Sequence, residues 1–300
     1  MTHTPSAPYS LRRERLYRTR GSSDFKKPTL AGVIFRYFLL ALLFIIAVAP
    51  FIWQLSTAFK GPTEDIYTFP PNLIPAEPTL ENFSKVTQIV PVFRYALHSF
   101  LIACATVFTQ VLFSLLAGYA LGCLKFRGKA IAVAILFSVL LLPGEVTLTS
   151  QYQTIKSLGL ENTLVGVFLP GAIGAINVLL MATACRGVPA EVLDAATVDG
   201  ANTWQRITKI VWPNVRGMAS VVAVFSFIGA WDDFLWPLVV LNDTDKYTLT
   251  VGMQYLNSTF SSNPRLIAAG TIIALIPIIV FFASMQKFFF KGVEVGGVKG

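Results

Sequence analysis

Long apolar runs separated by short polar segments set the pattern of this 300-residue chain. Runs able to cross about 30 Å of hydrocarbon occur at 33–53, 100–121, 164–184, 218–241 and 266–285. A sixth, 131–148, is interrupted by Pro143-Gly144-Glu145. The pattern predicts an all-α integral membrane protein with six transmembrane helices, at about 33–55, 98–122, 130–149, 163–185, 215–241 and 266–288. Residues 31–300 then form one membrane domain behind a basic, disordered leader over 1–30.

One polar segment breaks the pattern without reading as a linker. Between the fourth and fifth runs, EVLDAATVDGANTWQRITKIVWP (191–213) carries Glu191, Asp194, Asp199, Arg206 and Lys209. At a helix centre in lipid each charge costs roughly 2.5–3.5 kcal/mol, so the segment lies at or outside the surface. Its residues predict two short helices around a glycine. Pro189 suits a first helical turn, and Val192, Ala195 and Ala196 recur at helical spacing. Gly200 ends the first helix cheaply. Asn202 with Gln205 has the form of a capping box, and Trp204, Ile207 and Val211 make a second apolar stripe, which Pro213 closes. Small residues at the centre (Ala195, Ala196, Gly200, Ala201) leave room for close packing by another surface; an interfacial hairpin without a partner is the plainer alternative.

Composition agrees with the membrane reading. Apolar residues make up 54% of the chain and charged ones 13%, about half the soluble norm. The first run is too long for a signal-peptide core, and Lys60-Gly61-Pro62 follows it in place of a cleavage site. With the amino terminus in the cytoplasm, six crossings place eighteen of the 24 Lys and Arg on inner segments and six on outer ones. That puts the 191–213 insert and both termini inside. The leader's seven basic residues suit anionic lipid headgroups, and no nucleic-acid motif accompanies them. Cys104, Cys123 and Cys185 lack metal spacing and read as small buried hydrophobes. No phosphate-binding loop, zinc-protease motif or nucleophile elbow is present. The chain therefore reads as a non-enzyme that binds no cofactor of its own.

Glu145, Asp232 and Asp233 lie in or beside apolar runs, where a carboxylate is a functional candidate. Trp231 and Trp236 suit stacking on the C–H face of a sugar ring. Their plainer roles are a helix-break hydrogen bond for Glu145 and an interfacial aromatic belt for the tryptophans. Over 61–93, prolines at 70, 71, 75 and 78 predict extended, braced backbone.

The spacing Asp194-Ala195-Ala196, three residues, Gly200, nine residues, Ile210-Val211-Trp212-Pro213 resembles the cytoplasmic EAA loop of ABC-importer permeases. Asp194 stands where that family has Glu, and Trp212 where it has Leu. Phe69-Pro70 with Leu80-Glu81-Asn82-Phe83, Ala117-Gly118-Tyr119-Ala120-Leu121 with Phe126-Arg127-Gly128-Lys129, Leu142–Val146 and Trp231–Leu238 are similar to segments of the carbohydrate-uptake type. The ending Gly296-Gly297-Val298-Lys299-Gly300 resembles the tail of the smaller, maltose-type subunit.

The resemblance implies the type I ABC importer permease fold. It makes Asp194, Ala195, Ala196, Gly200, Ile210 and Pro213 a helical coupling loop to an ATPase. It implies that Gly297, Val298, Lys299 and Gly300 touch that ATPase, and leaves Glu145, Trp231, Asp232 and Asp233 as candidates for the translocation path. The implied partners are a second, unlike permease in a heterodimer, two ABC ATPase subunits that use ATP and Mg, an extracytoplasmic solute-binding protein and the bacterial inner membrane, with no nucleic acid. The implied cargo is a carbohydrate or related polar solute. An ion-coupled secondary transporter predicts an internal repeat, which the sequence lacks; a scaffold or receptor predicts no solute accumulation.

Overall fold

The computed structural model describes residues 29–259 and 263–297, and among them it is helical with no strand. The leader through residue 28 and the tail residues Val298, Lys299 and Gly300 lie outside the described residues. Four helices are long and apolar enough to cross a membrane, or up to six if each of two bent pairs is one crossing. The chain divides into two compact units, one through Ile52 and one from Trp53 onward. Helix α1 (Leu30–Phe59) supplies the described part of the first, and the Thr29 hydroxyl accepts from Gly32 N–H at its start (3.3 Å).

In the second unit the apolar runs become α3 (Val92–Cys123), the bent pair α4 (Lys129–Leu140) and α5 (Leu148–Ser157), and the bent pair α6 (Leu164–Phe168) and α7 (Ala175–Arg186). The helical run Thr203–Asp232, whose last part is α10 (Trp212–Asp232), and α13 (Pro264–Gly297) complete the set. Between them, α8 (Ala190–Val198) and α9 (Thr203–Gln205) form the hairpin, and α11 (Leu235–Val240) follows α10.

Glycines set how these helices meet. A Cβ at Gly118 would lie 2.7 Å from Met181 Cγ, and one at Gly122 would lie 2.5 Å from Cys185 Cβ and 2.8 Å from the Ala182 carbonyl. The backbones of α3 and α7 approach that closely only because both positions lack a side chain. Contact positions rise together, from Gln110 with Gly171 and Gly174 through Gly118 with Met181 to Gly122 with Cys185, so α3 and α7 run parallel. Helix α10 runs antiparallel to α7, with Ser226 beside Asn177 and the earlier residues Val211 and Val215 clustered with Met181 and Cys185. Helix α13 runs antiparallel to α10, with Phe281 stacked on Phe227 (3.7 Å) and Ala274 beside Trp231.

Helix α5 lies almost wholly beyond the expected span 130–149, and two further helices were not anticipated at all. Helix α2 (Glu81–Ile89) forms in the segment expected to be extended, between Pro78 and Pro91. Asn82 explains its position: the amide donates to the carbonyls of Ala58 and Lys60, both at 2.9 Å, and Phe83 packs on Phe59. Helix α12 (Leu249–Thr259) caps the same end, with Leu249 N–H donating to Ser99 Oγ at 2.9 Å and Gly252 against the Tyr95 ring. Helix α13 continues to Gly297, so 292–297 is helical despite its glycines.

Candidate coupling hairpin and path residues

The hairpin turn is built by backbone hydrogen bonds that the motif spacing dictates. Gly200 N–H donates to Thr197 O (3.1 Å) and Ala201 N–H to Ala196 O (2.9 Å). This pair of bonds is a Schellman cap, which needs a left-handed residue four positions after the carbonyl that closes it. Gly200, at φ +78°, is that residue. The Ala196-to-Gly200 interval is therefore a geometric requirement of the turn.

The second arm starts with the expected reciprocal cap. Gln205 N–H donates to Asn202 Oδ1 (2.9 Å), and Asn202 N–H donates to Gln205 Oε1 (2.8 Å). Arg206 reaches back to tie the arms together, donating to Thr197 Oγ1 (3.1 Å) and Thr203 Oγ1 (3.2 Å). The sequence marked Arg206 only as a charge; its bridging role needs the fold.

Three expectations about this element are corrected. Pro189 is the residue just before α8, with extended ψ of 132°, so Ala190 opens the helix. Trp204 is 59% exposed and leaves the apolar stripe, because the second arm buries only the face that carries Ile207 and Val211. Pro213 closes nothing. A π turn over Arg206–Val211, with Trp212 N–H donating five residues back to Ile207 O, widens the helix ahead of the proline. A wider turn relieves the clash a proline ring makes with the preceding carbonyl. The helix then runs on to Asp232.

That continuity anchors the hairpin. Ile207 and Val211 join Val215, Ala219 and Val222 in one buried cluster with Leu115, Tyr119, Met181, Cys185 and Val188. The far face stays open. Asp194, Ala195, Gly200 and Pro213 are exposed, Ala196 and Ile210 half-buried, and no residue of α8 is buried. Apart from its chain neighbours, nothing described in this chain lies within 4 Å of a Cβ built on Gly200, so the turn has the open room that its small residues suggested. Gly200 and Ile210 share a shallow concavity of about 370 Å³ with Asp199, Ala201, Gln205 and Lys209.

The candidate path residues do not form one cluster around the hairpin. Glu145 is exposed in the 3₁₀ turn Gly144–Thr147, where the pair α4–α5 bends by 96°. Asp232 is exposed at the end of α10. Asp233 is half-buried, and its Oδ1 accepts from Trp236 N–H at 3.4 Å. Trp231 is buried: its ring stacks on Phe227 and its indole N–H donates to Ala274 O at 3.4 Å. Trp236 is buried too, donating to the carbonyls of Gly166 (3.3 Å) and Val167 (3.1 Å). Neither indole face is free in this chain to stack on a sugar. Among the described residues, no group of three or more His, Cys, Asp or Glu could hold a metal ion.

Residues 81–295 match the family described as the binding-protein-dependent transport system inner membrane component. This chain belongs to that family. The arabinooligosaccharides transport system permease protein AraQ of Halalkalibacterium halodurans is 31% identical over 266 residues, covering 87% of this chain and 94% of that one. The galactooligosaccharides transport system permease protein GanQ of Bacillus subtilis is 27% identical, over 93% and 99% of the two chains. The sn-glycerol-3-phosphate transport system permease protein UgpE of Shigella flexneri is 28% identical, over 83% and 92%. In fold, the chain is similar to a crystal structure of a bacterial ABC transporter involved in the import of the acidic polysaccharide alginate, with TM-score 0.74 at 20% identity, covering 95% of this chain and all of that one. Members of this permease family are membrane transport components rather than catalysts.

Sequence reading of this permease missed its most connected buried polar group, Gln110. It lies midway along an apolar run, as Asn177 does in another, and isolated amides in such runs are themselves a signal.

Proposed function

We infer that this permease is one membrane-spanning subunit of an ATP-driven ABC importer that moves a carbohydrate or related polar solute across the bacterial cytoplasmic membrane. The observation that carries this reading is the hairpin. It is internally braced by the Schellman cap, the capping box and Arg206, continuous with a membrane-length helix, and open on its far face. A rigid element of that kind transmits motion, because packed interfaces switch between discrete arrangements. Arabinooligosaccharide, galactooligosaccharide and glycerol-phosphate systems among its relatives support the cargo class.

In this reading the chain crosses the membrane six times, with each bent pair counted as one crossing. The parallel packing of α3 and α7 supports that count, since the α4–α5 pair between them must then return the chain across the membrane. Both termini and the hairpin are cytoplasmic, as the Lys/Arg bias supports. Asp194, Ala195, Ala196, Gly200, Ile210 and Pro213 couple to an ATPase subunit, and the tail Gly297–Gly300 reaches the ATPase pair. ATP and Mg are used there and not on this chain. A second, unlike permease and an extracytoplasmic solute-binding protein complete the assembly. ATP-driven closure of the ATPases moves the hairpin and alternates access to the path. Exposed Glu145 and Asp232, at two different helix breaks, are the path groups open to solute, while Trp231 packs in the core and half-buried Asp233 accepts from Trp236 N–H at the α10–α11 break.

The test is uptake by the whole complex in liposomes. Solute should accumulate with ATP on the ATPase side and loaded binding protein on the other, and an uncoupler should change nothing. Uptake driven by a proton or sodium gradient without nucleotide would establish the secondary-transporter reading instead.

A further inference from the structure

A side chain from a different helix holds together the break between α6 and α7. Ile173 and Gly174 are extended (φ −142°, ψ 137° and φ −123°, ψ 132°), which interrupts the helical ladder, and the axis turns by 43°. Inside a bilayer no water takes the backbone groups that such a break frees. Gln110 of α3 takes one of each kind. Its Nε2 donates to Gly171 O at 2.8 Å, and its Oε1 accepts from Gly174 N–H at 2.9 Å. The same oxygen accepts from Asn177 Nδ2 at 3.1 Å, and Asn177 Nδ2 donates onward to Ser226 Oγ of α10 at 3.2 Å. Gln110, Asn177 and Ser226 are all buried. Glycine at 174 is what admits the clasp, for a Cβ there would sit 3.1 and 3.3 Å from the Gln110 amide.

The network is not saturated. Asn177 Oδ1 and Ser114 Oγ are both buried without a hydrogen-bond partner, and Ser114 lies one helical turn beyond Gln110 on α3. A purely static buried network fills its donors and acceptors. Here an acceptor of the clasp and a hydroxyl one turn along α3 have no partner in this chain, while Gln110 Nε2 has a second N–H that can be given without releasing the Gly171 carbonyl. Beyond the break, α7 leads through Gly187–Pro189 straight into α8 of the hairpin. A push on the hairpin therefore acts on α7 as a lever arm with its pivot at Gly174.

We propose that Gln110 is the positioning residue of a hinge at Ile173–Gly174, on which α7, held to α3 by the Gly118–Met181 and Gly122–Cys185 contacts, pivots against α6 when the hairpin moves. Asn177 Oδ1 and Ser114 Oγ find their partners in the second arrangement. The inference rests on the ATP-driven importer reading above and adds to it a specific moving joint.

The test uses the complete reconstituted complex with spin labels at Val165 and Thr183, exposed positions on either side of the break. The distance between them is measured without nucleotide and after trapping with ATP and vanadate. The proposal expects the wild-type distance to shift between the two states. In Gln110→Met, which keeps length but removes both hydrogen-bonding groups, the shift is lost and the solute moved per ATP falls on the order of tenfold. An unchanged wild-type distance in a complex that transports with ATP overturns the hinge, and that result needs no variant to fold. A Gln110→Met complex with full coupling and the wild-type shift overturns the role of Gln110. Absence of any ATP-driven uptake would instead remove the importer reading on which the hinge depends.

Discussion

The two bent helix pairs both carry a Pro-Gly pair and differ in what satisfies the break. Between α4 and α5 the chain turns by 96° at Pro143-Gly144, with Leu141 and Leu142 exposed and no buried residue in α4 or in the 3₁₀ turn. A Cβ on Gly144 would meet nothing within 4 Å. Between α6 and α7 the turn is 43°, the 3₁₀ stretch Leu169–Ala172 ahead of Ile173 carries its own Pro170 and Gly171, and the clasp from Gln110 and Asn177 is buried. The first break is a local property of its own residues. The second also has local breakers, Pro170 and Gly171, but its freed backbone groups are taken by another helix, so only the second ties the geometry of one helix to the position of another.

Substitutions at three glycines test that contrast. The largest effect belongs to Gly122→Val, at the parallel α3–α7 contact on which the second break depends. Its side chain would strike Cys185 Cβ and the backbone at Ala182 O and Arg186 N (3.1 Å), which cannot yield without separating the helices. Overpacking of this kind costs about 3 kcal/mol, so the variant should lose most of its folded yield or show a sharply lowered Tm in detergent. Gly174→Ala comes next. It pushes on a side-chain amide rather than on backbone, and losing the clasp should cost about 1–2 kcal/mol, read as a smaller drop in Tm. Gly144→Ala should stay within about 0.5 kcal/mol of wild type, as should Glu145→Gln beside it. Equal losses at Gly174 and Gly144 would erase the distinction between a tertiary break and a local one.

What was legible in the sequence follows the same division. The Pro143-Gly144 interruption, the Asn202–Gln205 capping box and the glycine-ended first arm are set by neighbouring residues, and each could be read from spacing. Features set by distant contacts could not. Trp204 left its apolar stripe because tertiary packing selected the face of Ile207 and Val211. Pro213 continued a helix because a π turn precedes it, and no local rule announces a π turn. Trp231 and Trp236 read as an interfacial belt, with sugar stacking as the alternative, until the fold placed their rings in its core. Asn82 gave no sign in sequence that it would cap the end of α1 from a helix hidden behind four prolines. Family membership was readable because the motif spacing is itself a local geometric requirement, fixed by the Schellman cap.

The central claim is that the hairpin passes work between a nucleotide-driven partner and the membrane helices. Gly200→Trp tests it most directly. The position is open within this chain, so bulk there meets only what docks from outside, although φ +78° adds about 1–2 kcal/mol of backbone strain. Solute uptake and ATP hydrolysis should be measured together in liposomes holding the complete complex, with insertion checked by protease protection. The account predicts normal insertion with uptake lost, whether or not hydrolysis continues. Uptake at the wild-type rate per ATP in that variant would contradict it.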